Sequence, residues 1–362
     1  MKAKTDRRLR PEEAKAIVKA MNGKVVTEGS KYLASIGGNE VEITFQGTGR
    51  VGEDVEFESD QEYRLGERYR CPDFLKPNVP PPQPPFIDDE ADIERRVRRG
   101  LYHFKQVGMV GPTGTGKTHL VYKIAADDDL PIFEINCALQ TSVYELIGKY
   151  VGLGRENWVD GTIVIWCRHG GILYVDEANM MKPDILAKFH PVMDQRGHLV
   201  LTERENEIVK RHPKGYIILS FNPYSIEYAG TKPLNVAFRR RVNAWVHLDY
   251  LSVGPKVSET EVETLMSRSG LKDKKLAYRI VKSAAELRRL YELGELPLAP
   301  SLGNLISWAR LVAVDGISAE EAARDTIINT TSDDPSIRAS VRRIIESALG
   351  LADEVKGVAG KL

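Results

Sequence analysis

The stretch that decides the fold is Gly111-Pro112-Thr113-Gly114-Thr115-Gly116-Lys117-Thr118. It matches the pattern GxxxxGK followed by Ser or Thr, after the apolar run Val107 to Val110 and before the helical pattern His119 to Ala126. Glycines in such a turn let backbone N–H groups face phosphate oxygens, and the N-terminus of the next helix adds partial positive charge. The segment therefore predicts a phosphate-binding loop (P-loop) between a strand and a helix.

Two side chains of this loop have predicted roles toward a bound nucleotide. Lys117 would reach the β- and γ-phosphates, and Thr118 would give its hydroxyl to a Mg²⁺ ion that bridges them. The rest of the loop would hold the phosphates through its backbone. A glycine-rich turn without a ligand is the alternative interpretation, and the complete match in the required context argues against it.

A second motif, Gly171 to Glu177, follows about 60 residues later as an apolar run that ends in Asp176 and Glu177. A parallel strand would deliver both carboxylates to the ligand edge of the sheet, and neighbouring side chains of a strand point in different directions. Asp176 therefore suits the Mg²⁺ shell, and Glu177 suits polarisation of the attacking water. Alone, the pattern is more often a capped strand end, but its pairing with the P-loop favours the functional interpretation.

Two further features could complete a nucleotide site. The apolar run Tyr216 to Phe221 ends in Asn222-Pro223, and the Asn222 amide could hold the lytic water or the γ-phosphate, although such an asparagine is usually a turn former. Arg239-Arg240-Arg241 follows. These arginines could be a solvated loop, but in a ring assembly one of them would neutralise the charge on a neighbour's transferring phosphoryl group.

The composition is that of a folded protein with two or three domains, at 362 residues, 42% hydrophobic and 28% charged. Fifty-one basic residues balance fifty-one acidic ones, so no overall field attracts nucleic acid or an anionic membrane. Cys71, Cys137 and Cys167 are far apart and predict neither a disulfide framework nor a zinc site. No apolar run reaches the length of a membrane span. We therefore expect a cytoplasmic protein.

Residues 1–76 are predicted to form a small β-rich α+β domain. The basic start is interpreted as a solvated tail, and a helix from Pro11 to Met21 comes first. Short alternating runs then extend from Lys24 to Leu65, separated by glycines. Residues 77–88 are rich in proline and predict a polyproline II spacer that marks a domain boundary.

Residues 89–253 are predicted to form the P-loop core, because apolar runs alternate with helical patterns as in a parallel sheet with helices on both faces. Its first helix, Asp89 to Leu101, carries arginines that we interpret as a solvated basic face; they are Arg95, Arg96, Arg98 and Arg99. Strands stop beyond Pro255. Residues 254–362 therefore predict an all-helical C-terminal subdomain.

The order of these motifs resembles AAA+ ATPases, within them the dynein-related branch that contains MoxR, the NorQ and CbbQ activases and McrB. The likeness runs from about Ile93 to about Leu349. Its most particular parts are Asp160 to Met180, a hairpin-like stretch from Arg196 to Val209 after a helix from Pro183 to Asp194, and Ser220 to Pro223. Residues 1–85 lie outside it.

The resemblance implies a three-layer αβα core around a parallel sheet, with an all-helical C-terminal lid beside the small β-rich N-terminal domain. ATP and Mg²⁺ are the implied ligands, and a homo-oligomeric ring, usually a hexamer, is the implied assembly. Asn222 looks like sensor 1, and Arg241 looks like the arginine finger, with Arg239 and Arg240 still candidates. Gly303 stands where a sensor 2 arginine is common, so either Arg310 substitutes or the protein lacks this sensor.

The leading hypothesis is an ATP-fuelled remodeller whose projecting hairpins contact a protein client, with a von Willebrand A-type adaptor as a further expected partner. A nucleic-acid-directed motor is the alternative, in which the N-terminal domain and the helix from Arg95 to Arg99 grip DNA or RNA; the zero net charge disfavours it. A module that keeps nucleotide only as a structural ligand is disfavoured by Lys117, Asp176 and Glu177. ATP is preferred to GTP because no guanine-reading NKxD motif is evident.

Overall fold

The structure is a computed structural model, and it describes residues 2–5, 9, 11–36, 39–52, 55–59, 63–89, 92–136, 143–151, 157–180, 190–194, 196–202, 204–222 and 239–350. The N-terminal elements are β1 (Lys2–Thr5), α1 (Pro11–Met21), β2 (Val25–Val26), β3 (Lys31–Ile36), β4 (Asn39–Phe45), β5 (Gly49–Arg50) and β6 (Glu56–Ser59). Four of the strands form a sheet in the order β3-β4-β1-β6, and β2 pairs with β5.

The first strand corrects one prediction. Lys2–Thr5 is not a solvated tail, because β1 pairs with β4 on one side and with β6 on the other, and Ala3 and Thr5 are buried. Two pairing partners supply hydrogen bonds that a local pattern of basic residues cannot reveal. The chain thus begins with a strand rather than with α1. Arg7, Arg8 and Arg10 lie outside the described residues.

The small N-terminal sheet has its own hydrophobic core. The apolar side of α1, at Ile17 and Met21, packs on inward-facing strand residues such as Ile43 and Phe45, as the alternation of a half-buried sheet requires. The predicted strand pattern that ends at Leu65 is wrong at its end, because Leu65 lies in a bend and packs into the next core. The β-rich character of this region is otherwise as predicted.

Residues 65–89, which we call the strap, lie on the following core. The backbone N–H groups of Leu65 and Gly66 each donate to Asp128 Oδ1 at 3.0 Å. Leu75, in the 3₁₀ turn Asp73–Asn78, packs against the opposite face of the central sheet from Leu65. The proline-rich part is also attached to the core at separate points, because Asn78 Nδ2 donates to the Ile132 carbonyl at 3.4 Å and Phe86 packs on the core. It is therefore not a free spacer, while the domain boundaries stay predictions.

The centre of the molecule is a five-stranded parallel sheet in the order β15-β7-β14-β11-β8. Its strands are β7 (Gln106–Val110), β8 (Ile132–Asn136), β11 (Gly171–Asp176), β14 (Gly215–Phe221) and β15 (Trp245–His247). Continuous burial along β14 fits a central strand that is covered on both faces. The predicted parallel sheet is confirmed.

Helices cover both faces of this sheet, which confirms the three-layer αβα class. They are α2 (Ile93–Phe104), α3 (Lys117–Asp127), α4 (Val143–Ile147) and α5 (Thr162–His169). Two hairpins join the layer of α5, namely β9 (Gly148–Tyr150) with β10 (Trp158–Asp160) and β12 (His198–Leu201) with β13 (Glu207–Lys210). The predicted hairpin is thus present. Of the helix predicted before it, residues 181–189 lie outside the described residues, and residues 190–193 are helical.

The basic helix α2 differs from its predicted form at one arginine. Arg98 is 2% exposed and forms ion pairs with Glu94, Asp127 and Asp128. Burial of a guanidinium is tolerated only with such compensation. The prediction of a solvated basic face is therefore wrong for Arg98, because the acidic end of α3 lies against it.

The C-terminal region is all helical as predicted. Its helices are α6 (Glu259–Ser269), α7 (Lys274–Glu292), α8 (Leu302–Arg310), α9 (Ala319–Ala323) and α10 (Pro335–Leu349). π-helical turns, Leu311–Asp315 and Arg324–Ile328, continue α8 and α9. The helices share one core in which Trp308 is fully buried. None of the helices in the described part of the chain is long and apolar enough to cross a membrane.

Candidate nucleotide site

The P-loop lies where the sequence places it, between the end of β7 and the start of α3. A side-chain carbon at Gly111 would come within 2.1 Å of the Leu248 carbonyl oxygen, so only glycine fits beside β15. Gly116 has φ +87° and precedes α3 directly. These two glycines let the loop curl so that its N–H groups and the helix N-terminus face one ligand position.

Lys117 is held inside the loop. The residue is 8% exposed, and its Nζ donates to the carbonyl oxygens of Gly111 at 2.7 Å and Pro112 at 2.8 Å and to Asn222 Oδ1 at 3.2 Å. Burial lowers the pKa of the ammonium to about 8, and the nearby carboxylates of Asp176 and Glu177 oppose that shift. The cation is therefore partly desolvated and suited to an anionic ligand.

Asp176 ends β11 and is held by a network from two strands and a helix. Its Oδ1 accepts hydrogen bonds from the Tyr174 hydroxyl at 2.9 Å and from the Ser220 hydroxyl. The Tyr174 oxygen lies 3.1 Å from Thr118 Oγ1, and burial raises the pKa of this tyrosine above its ordinary value. The two predicted metal ligands, Thr118 and Asp176, are thus joined through one buried phenol.

Glu177 and Asn222 meet directly. Asn222 Nδ2 donates to Glu177 Oε1 at 3.1 Å, while Asn222 Oδ1 accepts from Lys117. Glu177 has φ +50°, a left-handed conformation that is uncommon outside glycine, and its N–H donates to Asp176 Oδ1 at 3.0 Å. The structure therefore brings four of the predicted site residues together in one hydrogen-bonded series.

These residues open onto a cleft of about 1210 Å³ between the P-loop, the strap and the lid helices. The strap contributes Phe86, whose ring lies near Gly116. The lid contributes Ser301, which caps α8 and lies against Gly114. Oxygen donors at Thr118 and Asp176 are of the type that Mg²⁺ prefers. The cleft therefore has room for a nucleotide, and Thr118 and Asp176 are the residues that would hold a Mg²⁺ ion there.

Two lid arginines that the sequence reasoning missed line the cleft, whereas Arg310 is not among its lining residues. Arg268 donates to the Pro85 carbonyl at 2.6 Å, and burial lowers its pKa. Arg288 is tied by two bonds to Glu261. Arg310 instead donates to the backbone of Arg268 at 3.0 Å. No motif marks Arg268 or Arg288, because their position follows from the packing of the lid.

The arginine cluster lies away from this chain's own cleft. Arg239, Arg240 and Arg241 are not among the cleft's lining residues, and they precede β15 at the amino end of the sheet, opposite the P-loop. The Arg239 guanidinium lies 5.3 Å from the centre of the Trp245 ring. Pro223 and Phe238, which flank the predicted motifs, lie outside the described residues. The structure therefore does not bring these three predicted residues into the cleft with Lys117, Asp176, Glu177 and Asn222.

The fold and the site together define a P-loop ATPase of the AAA+ class. Residues 106–242 match the family model described as AAA domain (dynein-related subfamily), and residues 261–348 match CbbQ/NirQ/NorQ C-terminal. The chain belongs to the CbbQ/NirQ/NorQ family of AAA+ ATPases, which confirms the resemblance. Residues 1–105 lie outside both family models.

Two relatives support this assignment. The denitrification regulatory protein NirQ of Pseudomonas aeruginosa is 33% identical over 70% of this chain and 92% of its own length. NirQ of Stutzerimonas stutzeri is 30% identical over 73% of this chain and 92% of its own length. Among solved structures, NtrX from Brucella abortus in complex with ADP aligns over 72% of this chain and 69% of that chain, with 16% identity and a TM-score of 0.36. The assignment rests on the sequence relatives.

Proposed function

We propose that the chain is a Mg²⁺-dependent ATPase that assembles into a ring, hexameric by family likeness, and remodels a protein client. One observation carries the proposal: Lys117, Asn222, Glu177 and Asp176 are linked in series by hydrogen bonds in one cleft. A purely structural nucleotide site would need the P-loop and Lys117, but not a carboxylate held by a neighbouring amide. The series therefore favours hydrolysis over simple binding.

In the proposed reaction Glu177 polarises the attacking water, and Asn222 orients that carboxylate. The same Asn222 amide also contacts Lys117, so one side chain aligns the base with the phosphate-binding cation. Thr118 and Asp176 would hold Mg²⁺, which when bound would neutralise charge on the β- and γ-phosphates. Positioning and electrostatics supply most of the catalysis in phosphoryl transfer.

We propose that Arg241 of a neighbouring copy completes the site. The support is its position at the amino end of the sheet, away from this chain's own cleft. An arginine that arrives from another subunit makes hydrolysis depend on assembly. Arg240, which is exposed, and Arg239, which stacks on Trp245, remain the alternatives.

The proposed client surface is formed by the two hairpins on the α5 layer. Val159 is 54% exposed and Ile208 is 61% exposed, and exposed apolar residues that recur on neighbouring elements are typical of protein contact sites. NirQ is named a denitrification regulatory protein, and a protein client is compatible with a regulatory role. A von Willebrand A-type adaptor and a cytoplasmic location are also proposed, on the resemblance and on the cysteine usage.

ATP turnover by the purified chain tests the enzymatic part. We expect Mg²⁺-dependent hydrolysis, loss of nucleotide binding in Lys117→Ala, and retained ATP binding in Glu177→Gln with a rate reduced about 10²- to 10⁴-fold. A Glu177→Gln protein that hydrolyses ATP at the wild-type rate would contradict the assigned base.

The client is tested with the Glu177→Gln protein, which should hold ATP and therefore the client. The expected result is a protein that co-purifies with Glu177→Gln in ATP, is absent with Lys117→Ala, and is lost when Ile208→Asp is added to the trap. If the client is still captured when Ile208→Asp is present, the hairpin of β12 and β13 is not part of the client surface.

A nucleic-acid-directed motor gains no specific support from the structure. The guanidinium of Arg98 is buried in its ion pairs, and that of Arg95 contacts Asp92 at 3.1 Å. Helix α2, which the alternative hypothesis assigns to phosphate binding, therefore has fewer unneutralised arginines than its sequence suggests.

A further inference from the structure

Gln106 is a buried polar residue, and neither nucleotide binding nor strand pairing requires a polar side chain at its position. It is the first residue of β7 and is 1% exposed. Its Nε2 donates to the backbone carbonyl of Arg241, while its Oε1 is buried without a hydrogen-bond partner in the described part of the chain. An unpaired buried acceptor costs stability, and an apolar side chain would avoid that cost. The position of Gln106 therefore points to a role for the bond it makes to Arg241.

The backbone around Arg241 is fixed on both sides of that bond. Val242 is buried in the main core, and its carbonyl accepts from Trp245 Nε1 at 3.0 Å. Trp245 in turn packs on Phe221, with ring centres 5.2 Å apart. The Arg241 carbonyl is held by Gln106, and the next residue is held by the core. The backbone of Arg241 is therefore fixed, and its side chain extends from a defined position.

The same strand connects this anchor to the nucleotide cleft. β7 begins at Gln106 and ends at Val110, directly before Gly111 of the P-loop. Beside it, β15 follows the arginine turn and ends next to Leu248, which donates to Val110 O at 2.8 Å and lies against Gly111. Five strand residues span about 16 Å. Two paired strands thus run from the arginine turn to the phosphate-binding loop of the same chain.

We propose that Gln106 is a positioning residue that holds Arg241 in the orientation needed by the nucleotide site of a second copy of this chain. The inference rests on the proposed function, because it requires Arg241 to act between subunits. Gln106 would affect hydrolysis in the neighbour and not in its own cleft. Its loss should lower kcat while the KM for ATP changes little, because the cleft that binds ATP keeps all its own residues.

Mixed assemblies test the direction of this effect. Gln106→Leu keeps the side-chain volume and removes the donor, and we expect its kcat to fall about tenfold with KM within about twofold. The partner in an equimolar mixture is Glu177→Gln, which has an intact Gln106 and Arg241 but no base. Half of the sites that retain Glu177 then lie next to a subunit whose arginine is well placed. The rate should reach about a quarter of wild type, against about a twentieth if the mutants do not complement each other.

The matched control is Ile132→Val, at the first residue of β8, which is also buried in the sheet but distant from the arginine turn. Mixed with Glu177→Gln, it should give simple dilution to about half. A wild-type kcat for Gln106→Leu, or a mixture at a twentieth, would overturn the inference. If Arg241→Ala also fails to recover in the same mixture, the assignment of Arg241 as the shared arginine fails as well, and if the Arg239→Ala and Arg240→Ala mixtures fail too, the shared site of the proposed function fails. If only Gln106→Leu fails, the proposed function stands without this residue.

Discussion

Lys117 carries a pH dependence that follows from its burial. Its pKa is about 8 in the nucleotide-free protein, and bound phosphates stabilise the ammonium, so the pKa must rise on binding. The complex then holds more protons than the free protein above pH 8, and affinity must fall as pH rises. We expect about tenfold weaker binding at pH 9 than at pH 7.5, measured by calorimetry with a non-hydrolysable ATP analogue and the unsubstituted protein. A flat profile would show that Lys117 stays fully charged in the free cleft.

Tyr174 gives a second test at single-residue resolution. Its hydroxyl joins Thr118 to Asp176, and groups that orient metal ligands commonly change metal affinity 10- to 100-fold when removed. Tyr174→Phe should therefore raise the Mg²⁺ concentration for half-maximal ATPase about tenfold, as measured by titration.

Tyr216→Phe is the matched control, because Tyr216 lies on the neighbouring strand and its hydroxyl bonds to the Leu65 carbonyl instead. It should leave the Mg²⁺ requirement unchanged. Equal effects of the two substitutions would indicate general destabilisation and remove Tyr174 from the metal site.

The sequence predicted the site residues that belong to recognisable motifs. It did not predict the residues that hold them by hydrogen bonds. Asp176 and Glu177 are marked by a motif, whereas Tyr174 looks like one more apolar strand residue. Strand alternation places Tyr174 on the same side as Asp176, so the alternation alone could have predicted their contact. Gln106 could not be found in that way, because its contact to Arg241 spans 135 positions in the chain.

At the scale of elements, the two hairpins are coupled by charge. Arg168 on α5 bonds to Asp160 at 2.9 Å and Glu207 at 2.7 Å, and Arg204 contacts Glu207 at 3.0 Å. Arg168→Ala should therefore speed amide exchange in both hairpins, with a coupling of about 0.5–1 kcal/mol to Glu207→Ala in a double-mutant cycle.

Arg196→Ala is the control for this prediction, because Arg196 pairs with the nearby Asp194 and does not bridge the hairpins. Hydrogen–deuterium exchange should show no change in β9 or β10 for that variant. Faster exchange in only one hairpin after Arg168→Ala would mean that the hairpins move independently.

The junction of α2 and α3 gives the largest predicted stability effect. Arg98→Leu would leave the buried carboxylate of Asp128 without its cation and Asp127 with Lys123 alone, at a cost of about 3–5 kcal/mol in the free energy of unfolding. Urea denaturation measures it. Arg99→Leu, on the exposed side of the same helix, should change stability by less than about 0.5 kcal/mol. A similar small change for Arg98 would show that the network is not a stabilising unit.

This junction also shows what periodicity leaves undetermined. Helical spacing identified α2, but it could not identify which arginine meets the end of α3. The same limit applies to β1, since a strand held by two distant partners has no local mark among basic residues.

At the scale of the whole molecule, the strap connects the N-terminal domain to both the core and the lid. It is fixed to the core through Asp128, and Asp89 contacts Ser258 at 2.6 Å and Lys256 at 3.3 Å at the start of the lid. The proline-rich composition predicted an extended segment but not its docking, because packing on a distant surface depends on tertiary shape. Any lid movement is therefore expected to reach the N-terminal domain through the strap.

The central claim is that the nucleotide site is shared between two copies of the chain. The most direct test mixes Arg241→Ala, which retains the base, with Glu177→Gln, which retains the arginine, and measures ATP turnover. Each variant alone should be nearly inactive, and the equimolar mixture should recover to about a quarter of the wild-type rate, because random neighbours pair the intact halves. A mixture that stays at the level of its parents, while Arg239→Ala and Arg240→Ala mixtures do the same, would contradict a shared site.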